Sequence, residues 1–299
     1  MLLFKYRKRL DTLLGKIRPD FTVTVCDNSL YALTRCTDGS VKVGEFHFSH
    51  EKFLMKYGNN VFGRMYASLR TRRLENAVRK LDRFVVLTMA DKEDWEKVRP
   101  DVEQIYNPLS FVSQDVSPLT AKRCMAAGRL EGQKNFKDLI TAWQTVSARH
   151  PDWTLSIYGN GSQREALQSQ INSAGLQGKV ILEGNTNNVR KEMLDSSCLV
   201  MSSRFEGFPM ILLEALTTGL PIVSYDCPKG PSEVVTIGAN GYLAKVGDTA
   251  TLAQGICSVI ANEDLRKRFG AESKRRSENF TLEKTMERWD SMFKGIAGQ

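Results

Sequence analysis

The chain has 299 residues, enough for two domains of ordinary size with a core each, and 41% apolar with 25% charged residues is a globular composition. No uncharged stretch escapes interruption by Gly, Pro or polar residues, which excludes an obvious spanning helix. The first ten residues lack the apolar core and cleavage site of a signal peptide. The net charge of +8 sits entirely at the N-terminal end: residues 1–83 hold 17 Lys/Arg against 8 Asp/Glu, and residues 84–299 hold 25 against 26.

In chain order, a helix is expected over 1–17, a strand over 21–26, a helical patch near 29–36, and a strand over 40–46. A helix around 60–82, a strand over 83–88 and a helix over 91–98 complete a first domain, residues 1–110. Residues 111–121, rich in Ser, Gln, Asp and Thr and holding Pro118, read as an inter-domain linker. From 122 to 280 strands and helices alternate regularly, with strands over 123–127, 153–158, 179–183, 198–202, 222–225 and 242–244. Helices fall over 135–149, 162–174, 188–195 and 249–262, with a short one after the Gly-Pro turn at 230–231. A last helix, 282–295, carries Trp289, Met292 and Phe293 on one stripe. Strand–helix alternation is the pattern of parallel sheets covered by helices, so the fold class is α/β, two doubly wound Rossmann-like domains.

The six cysteines (26, 36, 124, 198, 227, 257) show no zinc or redox spacing and suit reduced thiols in a cytoplasm. The basic clusters Lys5–Arg9 and Arg70–Arg73, interleaved with Leu, Phe and Tyr, suit either a solvated helix face or an anionic membrane surface. No nucleic-acid-binding module accompanies them.

One segment stands out chemically. Between Glu206 and Asp226 the only charged residue is Glu214, in an apolar helix-then-strand run that starts near Pro209 and is closed by Gly219 and Pro221. A lone carboxylate there either pairs with a neighbouring Arg in a core helix or takes a ligand. Gly207 bares the helix N-terminus, where free N–H groups can meet an anion. Arg129 and Lys134 flank Leu-Glu-Gly-Gln at a strand end, beside a helix N-terminus expected to be capped by Asn135. They are either solvated cations or a diphosphate site. Gly159-Asn-Gly161 is a tight turn at the next strand end.

Together, Gly128-Arg-Leu…Lys134-Asn, Tyr158-Gly-Asn-Gly161, Glu206-Gly-Phe-Pro…Glu214-Ala and Gly230-Pro-Ser-Glu233 occur in an order that resembles the retaining GT-B glycosyltransferases of family GT4, in the branch that builds capsule, exopolysaccharide and O-antigen repeats. The resemblance is strong over about 122–280 and looser before it. It implies two Rossmann-like domains facing a cleft, the last helix packing back on the first. Arg129 and Lys134 would hold the donor diphosphate, with backbone groups of Gly207, Phe208, Pro209 and Met210. Glu206 would take the sugar hydroxyls and Glu214 the ribose. Gly128, Gly159 and Gly230 would line the donor, Asn185 would lie by the base, and His47, rather than His50, would sit by the transferred hexose. Arg18-Pro-Asp20 and Thr88 match structural landmarks. No metal and no cofactor is implied, in keeping with the lack of an Asp-x-Asp motif or a His/carboxylate cluster.

The implied activity is transfer of a hexose from a nucleotide sugar, a UDP-sugar, to a lipid-linked saccharide in bacterial surface polysaccharide synthesis (a hexosyltransferase, EC 2.4). The implied place is the cytoplasm, peripheral at the inner face of the plasma membrane. One departure matters. Family members open with a strand and a Gly-rich loop, which are missing before the Pro-Asp strand here, so the first domain is short by about two strand–helix units. Either the chain is N-terminally truncated or that loop is dispensable. Two other readings share the fold: a nucleotide-sugar epimerase and a non-catalytic nucleotide-sugar-binding protein.

Overall fold

The computed structural model describes residues 2–26 and 28–297, and the chain divides into two compact units, 1–106 and 107–299. The side chain of Lys5, counted in the first basic cluster, lies outside the described residues.

The first unit runs α1 (Leu2–Ile17), β1 (Phe21–Val25), α2 (Leu30–Leu33), β2 (Val41–Phe46), α3 (Lys52–Tyr57), α4 (Val61–Val78), β3 (Arg83–Val86), α5 (Met89–Glu96) and β4 (Val102–Gln104). Its sheet is parallel in the order β1-β2-β3-β4. The inner strands are apolar because helices cover both their faces: Val43, Phe46, Phe84, Val85 and Val86 are all buried. Trp95 of α5 packs edge-on to Phe46 at 5.3 Å and to Phe84 at 4.8 Å between ring centroids. Thr88 caps α5, its Oγ1 accepting from the Asp91 N–H at 3.0 Å, a structural role as expected. At the edge, β1 leaves Val23 and Val25 exposed. The short α3 and β4, six and three residues long, have too few positions to show a period and are not legible in the sequence.

The second unit runs β5 (Arg123–Ala127), α6 (Phe136–Arg149), β6 (Thr154–Tyr158), α7 (Arg164–Ser173), β7 (Val180–Gly184), α8 (Val189–Leu194), β8 (Cys198–Met201) and α9 (Met210–Thr217). It continues through β9 (Ile222–Tyr225), α10 (Pro231–Val234), β10 (Gly241–Ala244), α11 (Thr249–Ala261), α12 (Glu263–Ser277) and α13 (Leu282–Ala297). Its sheet is parallel in the order β10-β9-β8-β5-β6-β7, the doubly wound pattern. The core lies between β5, β6, β8 and the helices α6 and α11, with Trp143 and Phe269 fully buried. All six cysteines are free thiols, and all except Cys36 are buried.

Two segments differ from expectation. Residues 111–121, read as an inter-domain linker, fall within the second unit and are tied to it. Ser113 donates its N–H to Thr217 Oγ1 at 3.0 Å, Ser117 donates its N–H to Thr218 O at 2.9 Å, and both serines are buried. The fifteen-residue α12 has no counterpart in the sequence reading, because charge dominates it and its apolar positions are few. It is held instead by the Asn262 cap, accepting from the Leu265 N–H at 2.9 Å, and by buried Phe269. Arg266 also pins it, donating to the Ile260 carbonyl at 2.6 Å. In α13, Trp289 stacks on Phe293 and Met292 is buried. Among the described residues no helix is long and apolar enough to cross a membrane.

Trp143→Ala removes a fully buried indole from the second core. It is expected to cost about 3–5 kcal/mol of unfolding free energy in a denaturant titration. A loss below about 1 kcal/mol would show that this core does not carry the unit.

Candidate functional site

The second sheet changes direction between β5 and β8: from β5 the chain builds outward through β6 and β7, then returns to add β8, β9 and β10 on the other side. Ligands of open α/β sheets bind outside the carboxyl ends of strands at such a switch point. The loops that leave β5 and β8 there are 128–135 and 202–209, which hold most of the sequence-predicted residues.

The loops after β5, β6 and β7 lie backbone against backbone. Gly128 donates its N–H to Tyr158 O at 2.9 Å, and Gly159 donates to Gly184 O at 2.7 Å, leaving Asn185 exposed just beyond. Gly159 has φ +135°, and a Cβ on it would fall 2.0 Å from Gly128 O, so only glycine fits.

Across the switch point, Lys134 Nζ donates to Glu206 Oε1 at 2.6 Å. Glu206 is buried and Lys134 partly so. The backbone around this pair is fixed by residues that sequence reasoning missed. Gln133 accepts the Arg204 N–H through its carbonyl at 2.8 Å and donates Nε2–H to Phe205 O at 3.0 Å, while Ser202 Oγ donates to Lys134 O at 2.9 Å. Cys227, after β9, is buried nearby; burial, with the Glu206 charge adding to it, pushes its thiol up to about 12. It stays protonated and unreactive at neutral pH. Arg129 is exposed, and Glu131 beside it accepts the Ser162 N–H at 2.9 Å.

Pro209 takes the N-cap position of α9 rather than its first turn. The helix ends in a Schellman motif: Gly219 (φ +70°) donates to Leu216 O and Leu220 to Ala215 O. Gly230, φ +114°, packs against the start of this helix; a Cβ there would lie 2.4 Å from Pro209 Cδ. Phe208 is buried with its ring 6.1 Å from Phe280, while Gly207 and Met210 remain partly exposed. In the first turn Leu212 donates its N–H to Pro209 O at 2.9 Å, while those of Met210 and Ile211 have no helical carbonyl to reach, which leaves the positive end of α9 beside Glu206 in sequence.

Glu214 lies among the buried Leu212, Leu213, Ala215 and Leu216. Its partner is not a cation: Ser110 Oγ donates to Glu214 Oε1 at 2.7 Å. Burial raises this carboxyl above its ordinary 4.5, and the Ser110 bond acts the other way. The expected capping by Asn135 also differs. Asn135 stands at the N-cap of α6 in the left-handed region, φ 52°, and its side chain donates to Asp138 Oδ2 at 2.7 Å instead of accepting from the helix.

The structure therefore brings together Gly128, Lys134, Gly159, Glu206, Phe208, Pro209 and Gly230 through direct contacts on the second unit. His47 belongs to the first unit, one residue past β2. Its Nε2 lies 3.0 Å from Glu45 Oε1 but outside hydrogen-bond geometry. His50 is committed to structure, 3.0 Å from Glu75 Oε1 and edge-on to Trp95 at 4.8 Å. Among the described residues no group of three or more His, Cys, Asp or Glu side chains could hold a metal ion.

Residues 113–276 match the family described as glycosyl transferases group 1, over more than half of the chain. A curated relative from Haemophilus influenzae, an uncharacterized glycosyltransferase, is 28% identical over 289 residues, 96% of this chain and 79% of its own. The lipopolysaccharide 1,6-galactosyltransferase of Salmonella typhimurium is 33% identical over 172 residues, 54% of this chain and 47% of its own. Among solved structures, a mutant of Staphylococcus aureus TarM in complex with fondaparinux, alpha-GlcNAc-glycerol and UDP superposes with a TM-score of 0.79 at 22% identity. That match covers 95% of this chain and 58% of that one. The chain thus spans less than two thirds of the Salmonella and Staphylococcus proteins.

Gly159→Ala must part the loops after β5 and β6. A strained left-handed alanine costs about 1–3 kcal/mol, to be read as a lower melting temperature. An unchanged melting temperature would mean that the two loops are not locked together.

Proposed function

The chain belongs to the glycosyl transferases group 1 family and has the GT-B fold, and on that premise we propose that it moves a hexose from a UDP-sugar to a lipid-linked saccharide. Transfer retains the anomeric configuration and serves bacterial surface polysaccharide synthesis, at an anionic membrane surface met through the basic N-terminal region. The observation that carries this reading is the Lys134–Glu206 pair, which sets a cation and a carboxylate side by side at the switch point. The UDP bound to the Staphylococcus neighbour and the saccharide named for the Salmonella relative support donor and acceptor class.

In this reading Lys134 and Arg129 hold the donor diphosphate, with the N–H groups of Gly207, Phe208 and Met210. Charge develops on the leaving phosphate as its bond to the anomeric carbon breaks, and cations already in place stabilise it there. No metal is required for that stabilisation. Glu206 accepts hydrogen bonds from the sugar hydroxyls, and Glu214 accepts from the ribose, exchanging or sharing its Ser110 bond. Asn185 lies by the base, and His47 of the first unit is assigned to the transferred hexose.

Glu214→Ala is expected to weaken UDP-sugar binding ten- to hundredfold by calorimetry, the worth of about 1.5–3 kcal/mol for hydrogen bonds to a charged group, with the fold kept. Unchanged affinity would end the ribose assignment. Release of UDP only in the presence of a lipid-linked saccharide supports transfer. Interconversion of the donor alone would make the protein an epimerase, and saturable binding without turnover would make it a binding protein.

The raised carboxyl of Glu214 gives a pH signature. The carboxylate is the better acceptor, so donor affinity should fall as pH drops through a midpoint above 4.5. For stability the sign is opposite: ionising this carboxyl in the fold costs free energy, so stability falls as pH rises from 4.5 through the raised value. Glu214→Gln should therefore bind donor poorly, lose the pH dependence of binding, and melt no lower than the parent at neutral pH. A Gln variant that melts clearly lower would contradict the burial argument.

A further inference from the structure

In the first unit, the turn after α2 and the C-terminal half of α4 enclose a cavity of about 320 Å³. Arg35, Arg72, Arg73, Lys80, Asn76 and Leu69 line it, and no acidic side chain does. Two of these cations are held in place by contacts that do not neutralise them. Arg35 Nη1 donates to Tyr31 O at 3.1 Å, and the Arg73 guanidinium lies 4.6 Å from the centre of the Tyr31 ring. The nearest carboxylate along α4, Glu75, is spent on His50 at 3.0 Å. Four cations around one concavity repel one another, and an anion that reaches several of them relieves this. Guanidinium forks and an ammonium together are the donors that suit phosphate oxygens.

The same helix carries an unusual outer face. Val61 and Phe62 are each 79% exposed, Met65 59% and Leu69 60%. Positions 61, 65 and 69 follow one another at helical spacing, so these side chains form one stripe, and Leu69 is also a wall of the cavity. A free phosphate has no use for such a stripe. A bilayer does, because its headgroup phosphates lie directly above an apolar layer.

We propose that the cavity between α2 and α4 is a phospholipid headgroup site, in which Arg35, Arg72, Arg73 and Lys80 take the phosphate of an anionic lipid while Val61, Phe62, Met65 and Leu69 enter the acyl boundary. This rests on the membrane part of the reading above and adds the surface and the chemistry by which it operates. The other basic cluster, on α1, is not needed.

The test is sedimentation of the full chain with phosphatidylcholine vesicles, with and without phosphatidylglycerol. The chain should bind the mixed vesicles and not phosphatidylcholine alone. Arg72→Gln with Arg73→Gln should weaken binding by about tenfold or more, given the worth of each cation at an anionic surface. Arg72→Lys with Arg73→Lys should keep most of it. Phe62→Ser with Met65→Ser should leave only binding that salt abolishes. All four positions are exposed, so each variant is expected to keep the parent melting temperature and donor affinity. Equal binding by the Gln pair and the parent would overturn the proposal. So would equal binding to both vesicle types, or binding of inorganic phosphate without binding of vesicles. Vesicle binding lost in the Gln pair with UDP-sugar binding kept supports the site even where no transfer is detected. Full transfer on vesicles by the Gln pair overturns the site and leaves the transfer reading standing.

Discussion

The Lys134–Glu206 ion pair is the interaction on which the second unit's candidate site depends. Its partners are 72 residues apart in sequence, on the loops that leave the two strands of the switch point. A buried carboxylate is costly unless a cation and further hydrogen bonds meet it, and removing either partner leaves the other uncompensated. Gln133 and Ser202 hold the two loops in register so that the pair can form at 2.6 Å. In the proposed reading the same arrangement presents a cation to a phosphate and an acceptor to a hydroxyl.

Around that pair the fold places backbone where side chains cannot go. Gly159 lets the loops after β5 and β6 touch, and Gly230 lets the segment before α10 close against Pro209. Glu214 completes the picture from inside α9. Its neighbours are apolar, its partner is a hydroxyl, and its carboxyl is pushed up by burial. Such a group is a poor stabiliser and a good acceptor for a ligand that brings its own donors, which is the basis of the ribose role proposed for it.

Much of this was legible in the chain itself. The six strands of the second sheet are short apolar runs between turn residues, and the Glu206–Glu214 segment betrays itself by one carboxylate in an uncharged stretch. Other features depend on contacts that no local pattern encodes. Gln133 looks like an ordinary loop residue until it meets Phe205, and Ser110 until it meets Glu214, 104 residues away. Asn135 has the composition of a cap, but its left-handed backbone turns the side chain to Asp138. Residues 111–121 have the composition of a linker, yet Ser113 and Ser117 find buried partners. The α12 helix is polar nearly all round and is fixed by a buried arginine, a device that periodicity does not reveal.

The most direct measurement is a double-mutant cycle on the ion pair, with UDP-sugar affinity as the readout for Lys134→Met, Glu206→Gln and the two combined. If the pair acts as a unit at a donor site, each single change weakens binding by about tenfold or more. The double change then costs less than the sum, by a coupling of at least about 1 kcal/mol. Affinity that survives both changes, or losses that simply add, would place the donor elsewhere and reduce the pair to a structural contact.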